Sequence, residues 1–218
     1  MKFKAAIFDM DGTLIDSLFF WDVLWTHLGK TYRDAPSFRP APEDDRAVRT
    51  MILKDAMALI HERYAMGATA QALFEETDRL IRDFYATQVA VKPGVKEFLH
   101  HCQSNGTKMC IASATSPELV ELALEHCGLG QYFCKLFSCA DLGVGKDKPD
   151  IYLLAQGYLG AAIEDTWVFE DSAVAIQTAD SIGLKTVGIY DKFNFGQDII
   201  AQTATIYVAE GEDLAKLI

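Results

Sequence analysis

The feature that most constrains this chain is residues 7–14, where an apolar run meets two acids and a glycine. The run Ala5–Phe8 predicts a short buried strand, and Asp9 and Asp11 follow its carboxyl end, where open α/β sheets place their ligands. Carboxylates two residues apart point the same way while the strand lasts, so they repel each other, and a cation such as Mg2+ is their natural partner. Gly12 then lets the chain leave the strand in a conformation that other residues resist. The alternative interpretation is a strand end with two solvated acids.

Polar side chains recur at the ends of two later predicted strands. Ser113 follows the apolar strand 107–112, and the adjacent acids Glu170 and Asp171 follow the strand 166–169. Lys146 and Lys148 also lie between these strands, and Lys148 comes directly before Pro149. Each residue also has a plain structural interpretation, because serines often end strands, lysines are usually solvated, and Asp171 fits the N-cap of a following helix.

Together, these segments resemble the four motifs of the haloacid dehalogenase-like (HAD) hydrolase superfamily, in order. One such match is weak, but four in order across most of the chain predict membership of that superfamily. The matching segments are DMDGTL at 9–14, IASAT at 111–115, GKDKPDIY at 145–152 and VFEDS at 168–172.

Beyond residue 91 the sequence alternates between strand and helix patterns, which predicts an α/β fold with a mostly parallel sheet. The resemblance implies a Rossmann-like three-layer core formed by residues 1–16 and 87–218, with an all-helical cap domain inserted at 17–86. Strands are predicted at 5–8, 107–112, 136–139, 166–169, 185–189 and 206–208.

The insertion at 17–86 is too long for a single crossover helix. In the superfamily this position carries a cap that closes over the active site, whereas the alternative is helices packed on the sheet as ordinary crossover structure. A loop is expected at 33–44, which contains three prolines. Helices are predicted at 18–28, capped by Asp16 or Ser17 and ended by Gly29, at 46–64, with Met51 and Ile52 in its apolar stripe, and after the cap residue Thr69.

The resemblance implies catalytic roles for three residues. Asp9 would be the nucleophile that forms an aspartyl-phosphate, and Asp11 would act as general acid and base. An acid at the Asp11 position is not expected in the dehalogenase branch, so it favours phosphoryl transfer. The third motif supplies a cation that neutralises the transferring group, and its pattern favours Lys146, with Lys148 as the alternative.

The resemblance also implies ligand sites around these residues. Ser113, Ala114 and Lys146 would bind the phosphoryl group. The metal site for Mg2+ would consist of Asp9, Asp11 through its backbone carbonyl, Glu170 and Asp171. For Glu170, direct binding, binding through water and support of the lysine all stay open.

Composition limits the partners of the chain. Its net charge of −11 argues against a nucleic-acid partner, whose phosphates need a basic face. No signal peptide and no apolar run of membrane-spanning length is evident, so we expect a cytoplasmic protein, as a monomer or weak dimer. The five cysteines form no CxxC pair, which favours reduced structural thiols.

These observations favour a Mg2+-dependent phosphatase that acts on a small phosphorylated molecule such as a sugar phosphate or phosphoglycolate. The alternatives are a phosphomutase of the β-phosphoglucomutase type and a catalytically silent binding protein. In the mutase relatives, a histidine lies five residues beyond the acid that follows the first motif, and counting from Asp16 this chain has Trp21 there. An indole cannot replace a titrating imidazole, so this departure favours hydrolysis over intramolecular transfer.

Overall fold

A computed structural model describes residues 3–49 and 51–218. Contacts divide the chain into two compact units, Met1–Leu18 with Val89–Ile218 and the intervening Phe19–Gln88. The first unit contains all the strands among the described residues, and the second is helical. The role of the second unit as a cap stays a prediction.

The first unit is built on a six-stranded sheet in the order β5-β4-β1-β6-β7-β8, with every neighbouring pair parallel. The predicted α/β class with a mostly parallel sheet is therefore confirmed. A second, two-stranded antiparallel pairing joins β2 and β3 and was not predicted. The strands are β1 Ala5–Phe8, β2 Ile15–Asp16, β3 Ala90–Val91, β4 Lys108–Ser113, β5 Leu136–Ser138, β6 Thr166–Glu170, β7 Lys185–Ile189 and β8 Ile206–Val208.

Helices connect the strands and supply the rest of both units. In the first unit they follow the strand–helix alternation that the sequence predicts. The helices are α1 Phe20–Arg33, α2 Pro42–Val48, α3 Leu53–Tyr64, α4 Ala70–Thr87, α5 Val95–Ser104, α6 Pro117–Cys127, α7 Cys139–Leu142, α8 Asp150–Leu159, α9 Ala173–Ser181 and α10 Gln197–Thr203.

Strand β1 is central to the sheet and is covered on both faces. Its residue Ile7 belongs to a buried cluster with Ile151 of α8 and Ala175 of α9. The next side chain, Phe8, points to the other face and packs edge-on against Phe98 of α5. Because all four residues of β1 are fully buried, the strand is held in the middle of three layers, and its carboxyl end lies between those of β4 and β6.

Two helix predictions in the second unit are wrong. Helix α1 runs through Gly29 and ends at Arg33, followed by Asp34 in the left-handed conformation. The glycine serves close packing instead, because a Cβ at Gly29 would lie 2.3 Å from the carbonyl oxygen of Ala35. The loop after α1 therefore lies directly against the helix at this position.

The predicted helix at 46–64 is two helices, because α2 ends at Val48 and α3 begins at Leu53. Pro42 occupies the first turn of α2, a position that tolerates proline. Met51 and Ile52 are exposed and do not contribute to an apolar stripe. The prediction that Thr69 caps the next helix is confirmed, since its side chain accepts a hydrogen bond from the backbone N–H of Ala72 at 3.1 Å.

Alanine substitution of two helical glycines should have opposite effects on stability. Gly29→Ala should lower the free energy of unfolding by about 1–3 kcal/mol, because the new methyl group overlaps the following loop. Gly157→Ala in α8 is the matched control: a Cβ there meets nothing within 4 Å, so the change should stabilise by about 0.5–1 kcal/mol. Urea titration followed by circular dichroism measures both. Equal stabilisation by the two substitutions would contradict the packing role of Gly29.

Candidate active site

The predicted site residues gather at the carboxyl ends of three neighbouring strands. Asp9 directly follows β1, Ser113 ends β4 and Glu170 ends β6. The backbone N–H of Asp9 extends the pairing with β6 by donating to the carbonyl oxygen of Phe169 at 2.9 Å. Parallel strands thus bring segments more than 150 residues apart to one edge of the sheet, where α/β proteins bind their ligands.

A buried ammonium group joins two of the acids. Lys146 Nζ donates to Asp9 Oδ1 and, at 2.5 Å, to Glu170 Oε1. The side chains of these residues are at most 12% exposed. The competing Lys148 is 63% exposed and pairs with Asp147 at 4.0 Å. The geometry therefore associates Lys146 with the first motif and leaves Lys148 at the surface.

Glu170 is held by four hydrogen-bond donors. Its Oε1 accepts from Lys146 and from the hydroxyl of Tyr152 at 3.1 Å. Its Oε2 accepts from the backbone N–H groups of Asp171 at 3.1 Å and Ser172 at 3.2 Å. A carboxylate offers about four lone-pair sites, so the protein itself uses the full capacity of this side chain.

Three buried acids lie close enough to share a cation. Asp9, Glu170 and Asp171 each offer a carboxylate oxygen, and these oxygens lie within 4.8 Å of one another. Lys146 contacts Asp9 and Glu170 but forms no ion pair with Asp171 within the described part of the chain, so the three acids outnumber the ammonium group that they contact. Hard oxygen donors with excess negative charge suit Mg2+, Mn2+ or Ca2+ better than a soft metal, and the donor set therefore fits the predicted magnesium ion.

The electrostatic environment of the cluster displaces the pKa of Asp9, Asp171 and Lys146. Burial, followed by the charges of the neighbouring acids, raises the pKa of Asp9 well above its usual range, although Lys146 acts in the opposite direction. Burial and the charge of Glu170 raise the pKa of Asp171 to about 7. Burial alone lowers the pKa of Lys146, but the two acids it contacts raise it above its ordinary value. The lysine is therefore charged, and a bound cation would stabilise the charged forms of Asp9 and Asp171.

Asp171 lies beside Gly12 of the first motif and Asn194 of a later loop. Gly12 has φ of +76°, and a Cβ on it would lie 2.1 Å from Asp171 Oδ2. The glycine is therefore required both for the turn and for space. Asn194, which lies outside the four motifs and was not predicted as a site residue, donates from Nδ2 to Asp171 Oδ2 at 2.8 Å.

Asp11 is held by two hydroxyl groups. Ser17 Oγ donates to its Oδ1 at 2.6 Å, and Thr115 Oγ1 donates to its Oδ2 at 2.7 Å. The prediction that Asp16 or Ser17 caps the first helix is wrong, because Phe19 is the N-cap residue and makes no side-chain cap. The Ser17 hydroxyl is used by Asp11 instead.

The second motif forms a compact turn after β4. Ser113 is fully buried and accepts a hydrogen bond from the backbone N–H of Thr115 at 3.0 Å. Ser138, at the end of β5, donates to the carbonyl oxygen of Thr115 at 3.0 Å. Ala114 is exposed at the turn. Thr115 thus links Ser113 to Asp11, a role that its place in the motif could have suggested.

The family model of haloacid dehalogenase-like hydrolases matches residues 3–183, most of the chain. The chain belongs to this family. The predicted superfamily and the prediction of an enzyme of the hydrolase class are confirmed.

Relatives of this HAD-like hydrolase extend over nearly its whole length. A phosphorylated carbohydrates phosphatase of Thermotoga maritima is 24% identical over 97% of this chain and 96% of its own. A probable pseudouridine-5'-phosphatase of Drosophila melanogaster is 29% identical over 87% of this chain and 83% of its own. A crystal structure from Thermotoga maritima, provisionally named a β-phosphoglucomutase, has a TM-score of 0.77 at 23% identity and covers 100% of this chain and 98% of its own. At this level of identity, the structural similarity shows that the two chains share a fold.

Two further predictions concern the environment of the HAD-like hydrolase. Across residues 3–49 and 51–218, no helix is both long and apolar enough to cross a bilayer. All five cysteines are free thiols, and only Cys134 is exposed. The cytoplasmic location and the monomeric or weakly dimeric state stay predictions.

Removing the Asp9 charge should stabilise the metal-free enzyme. In chelator, Asp9→Asn should raise the thermal midpoint of unfolding, because the fold raises the pKa of this buried carboxyl and so penalises its charged form. Below about pH 4 both folded and unfolded states are protonated, so the gain should grow as the pH rises. Scanning calorimetry at about pH 5.5 and about pH 8 measures the difference.

The exposed Asp147 provides the matched control for this experiment. Asp147→Asn should leave the midpoint nearly unchanged at both pH values, because its side chain is 61% exposed. A lower midpoint for Asp9→Asn than for the wild type at about pH 8 would contradict the electrostatic interpretation of the cluster.

Proposed function

We propose that this HAD-like hydrolase is a Mg2+-dependent phosphatase that hydrolyses a small phosphomonoester through an aspartyl-phosphate on Asp9. The observation that carries the proposal is the Lys146 ammonium group, which bridges Asp9 and Glu170 inside a buried acidic cluster. The relatives named as phosphatases of a phosphorylated carbohydrate and of pseudouridine 5'-phosphate support a sugar-phosphate type of substrate.

Asp9 performs the first displacement. One of its carboxylate oxygens attacks the phosphorus, the bond from phosphorus to the ester oxygen breaks, and the alcohol leaves. Lys146 orients the attacking carboxylate through its contact with Oδ1 and neutralises charge on the transferring group. The acid of Asp11 gives its proton to the departing oxygen.

Asp11 then reverses its role in the second displacement. Its carboxylate removes a proton from water, which attacks the phosphorus of the aspartyl-phosphate and releases phosphate and the free Asp9 carboxylate. The hydroxyl groups of Ser17 and Thr115 hold Asp11 in one orientation for both steps. Ser113 and the backbone at Ala114 would contact the phosphoryl oxygens at the end of β4.

The three buried acids have different roles in the proposed metal site. Mg2+, when bound, would supply positive charge against Asp9 and the transferring phosphoryl group. Asp9 and Asp171 are the proposed carboxylate ligands, with the Asp11 carbonyl as the resemblance implies. Glu170 already accepts four hydrogen bonds from the protein, which favours its support of Lys146 over direct binding.

We further propose that the helical unit Phe19–Gln88 serves as the cap domain and selects the substrate.

A phosphate-release screen tests the proposed function. Purified enzyme should release phosphate from at least one sugar phosphate, nucleotide or phosphoglycolate, should lose that activity in chelator, and should regain it with Mg2+. Asp9→Asn should lower turnover by orders of magnitude while circular dichroism shows a retained fold. Undiminished turnover in pure Asp9→Asn protein would exclude the covalent mechanism.

The two lysines of the third motif should differ sharply in their effect on turnover. Lys146→Met should lower kcat by about 10²–10³-fold, the usual effect of losing one group that stabilises the transition state. Lys148→Met, which removes an exposed charge, should change kcat by less than about twofold. Steady-state kinetics at saturating Mg2+ measures both, and similar losses in the two variants would refute the assignment to Lys146.

A phosphomutase is the second candidate, because the fold likeness includes a protein provisionally named a β-phosphoglucomutase. Trp21 argues against it. Its ring lies 5.7 Å from that of Trp25, and the guanidinium of Arg49 lies 5.8 Å from its centroid, so it packs within the helical unit. An indole cannot titrate like imidazole and cannot gate transfer by protonation, which favours hydrolysis.

Product analysis separates hydrolysis from transfer. With β-glucose 1-phosphate and a catalytic amount of the 1,6-bisphosphate, we expect inorganic phosphate to form faster than glucose 6-phosphate, because water reaches the aspartyl-phosphate freely. Coupled enzymatic assays follow both products in one sample. Glucose 6-phosphate produced well ahead of phosphate would establish the mutase instead.

A further inference from the structure

We propose that Asn194 is a positioning residue that fixes the carboxylate of Asp171 for the divalent cation, an inference that rests on the proposed function. Asn194 lies in the loop between β7 and α10, outside the four motifs that the sequence singles out. Its position beside a proposed metal ligand is a product of the fold.

The side-chain amide of Asn194 donates hydrogen bonds to two oxygen atoms of Asp171. Its Nδ2 donates to Asp171 Oδ2 at 2.8 Å and to the backbone carbonyl oxygen of Asp171 at 3.0 Å. An amide nitrogen has two N–H donors, so one group ties the Asp171 side chain to its own main chain. This contact restricts rotation of the carboxylate about the Cα–Cβ bond.

The orientation of the amide follows from its other contact. Asn194 Oδ1 accepts a hydrogen bond from the backbone N–H of Phe195 at 3.0 Å, so the oxygen faces a donor and the nitrogen faces two acceptors. Within residues 3–49 and 51–218, the other side chain that donates to the Asp171 carboxylate is that of Thr13, whose Oγ1 lies 3.4 Å from Oδ1. Because hydroxyl donors in good hydrogen bonds lie at about 2.7–2.8 Å, Asn194 makes the stronger contact.

The loop that carries Asn194 is itself fixed by a nearly buried ion pair. Lys92 Nζ contacts Asp191 Oδ2 at 2.9 Å and also donates to the carbonyl oxygens of Gly12 at 2.5 Å and Tyr190 at 3.1 Å. Asp191 Oδ1 accepts from the backbone N–H of Phe193 at 2.9 Å. The loop is thereby joined to the first motif and presents Asn194 in one arrangement, as a precise supporting contact requires.

Such a contact should matter most for metal affinity. Asp171 lies beside two other buried acids, and without a restraint its carboxylate would turn away from them in the metal-free enzyme. Mutation of partners that orient metal ligands typically costs about 10–100-fold in metal affinity or activity. Loss of the Asn194 amide should therefore weaken Mg2+ binding without changing how substrate is recognised at saturating Mg2+.

The test compares Asn194→Ala with Asn105→Ala in the full chain. Asn105 also donates from its side chain to a backbone carbonyl, that of His101, but it lies at the end of α5, before β4 begins. Calorimetric titration with MgCl2 in the absence of substrate should give a Kd about tenfold higher or more for Asn194→Ala. The Mg2+ concentration for half-maximal turnover should rise by the same factor, with the substrate KM at saturating Mg2+ unchanged. Asn105→Ala should match the wild type in all three.

A second variant protects the test against misfolding. Asn194→Ser keeps a polar side chain in the loop but has one donor in place of two, so it should also bind Mg2+ more weakly, and its thermal midpoint in chelator should stay close to that of the wild type. A Kd within about twofold of the wild type for both variants would overturn the role of Asn194. A lowered thermal midpoint with unchanged Mg2+ affinity would overturn it as well, because the contact would then be structural only.

The outcome for the wild type keeps this inference distinct from the proposed function. If the wild type binds Mg2+ and releases phosphate while both Asn194 variants bind equally well, the positioning role alone fails. If the wild type neither binds Mg2+ nor releases phosphate in its presence, the proposed function fails and the inference with it.

Discussion

The buried contact of one ammonium group with two carboxylates is the constraint on which the site depends. Lys146 reaches Asp9 and Glu170 where the ends of β1 and β6 meet. Removing a charged group from water costs several kcal/mol per ion, and only close pairing and further hydrogen bonds offset that cost. The four donors around Glu170 meet this requirement for that acid. Asp9, despite its contact with Lys146, and Asp171 keep raised pKa values, and a bound cation would offset the cost of their negative charges.

This arrangement explains why the parallel sheet is suited to the chemistry. Central strand β1 must be buried on both faces for Asp9 to emerge between β4 and β6, and its fully apolar sequence ensures this. The cluster is unfavourable in the metal-free fold, as the raised pKa values of Asp9 and Asp171 indicate. Active sites commonly retain such groups at the expense of stability, and the rest of the core supplies the stability that they lose.

Much of this organisation was predictable from local sequence. The bounds of β1, β7 and β8 match the predictions, because short apolar runs between turn residues are distinctive in a parallel sheet. The residues of all four motifs meet at one edge, as the order of strands implies. In the sequence, only the family pattern favours Lys146 over Lys148, because both lysines lie in the same loop. Burial distinguishes them in the structure, where Lys146 is buried and Lys148 is exposed.

The errors arose where tertiary contacts override local preference. Gly29 resembles a helix stop, yet it continues α1 because the following loop packs against it. The pattern at 46–64 resembles one amphipathic helix, but Ile52 is exposed at the break between two helices. Asn194 carries no signal in the sequence, because its importance arises from a contact with Asp171 across 23 residues that only the folded loop creates.

The stereochemical course at phosphorus tests the central claim most directly. A thiophosphate ester made chiral with oxygen isotopes, hydrolysed in isotopically labelled water, reports the number of displacements at phosphorus. Attack by Asp9 followed by attack of water inverts the configuration twice, so the account predicts net retention. Net inversion would show a single direct attack by water and would contradict the role of Asp9 as nucleophile.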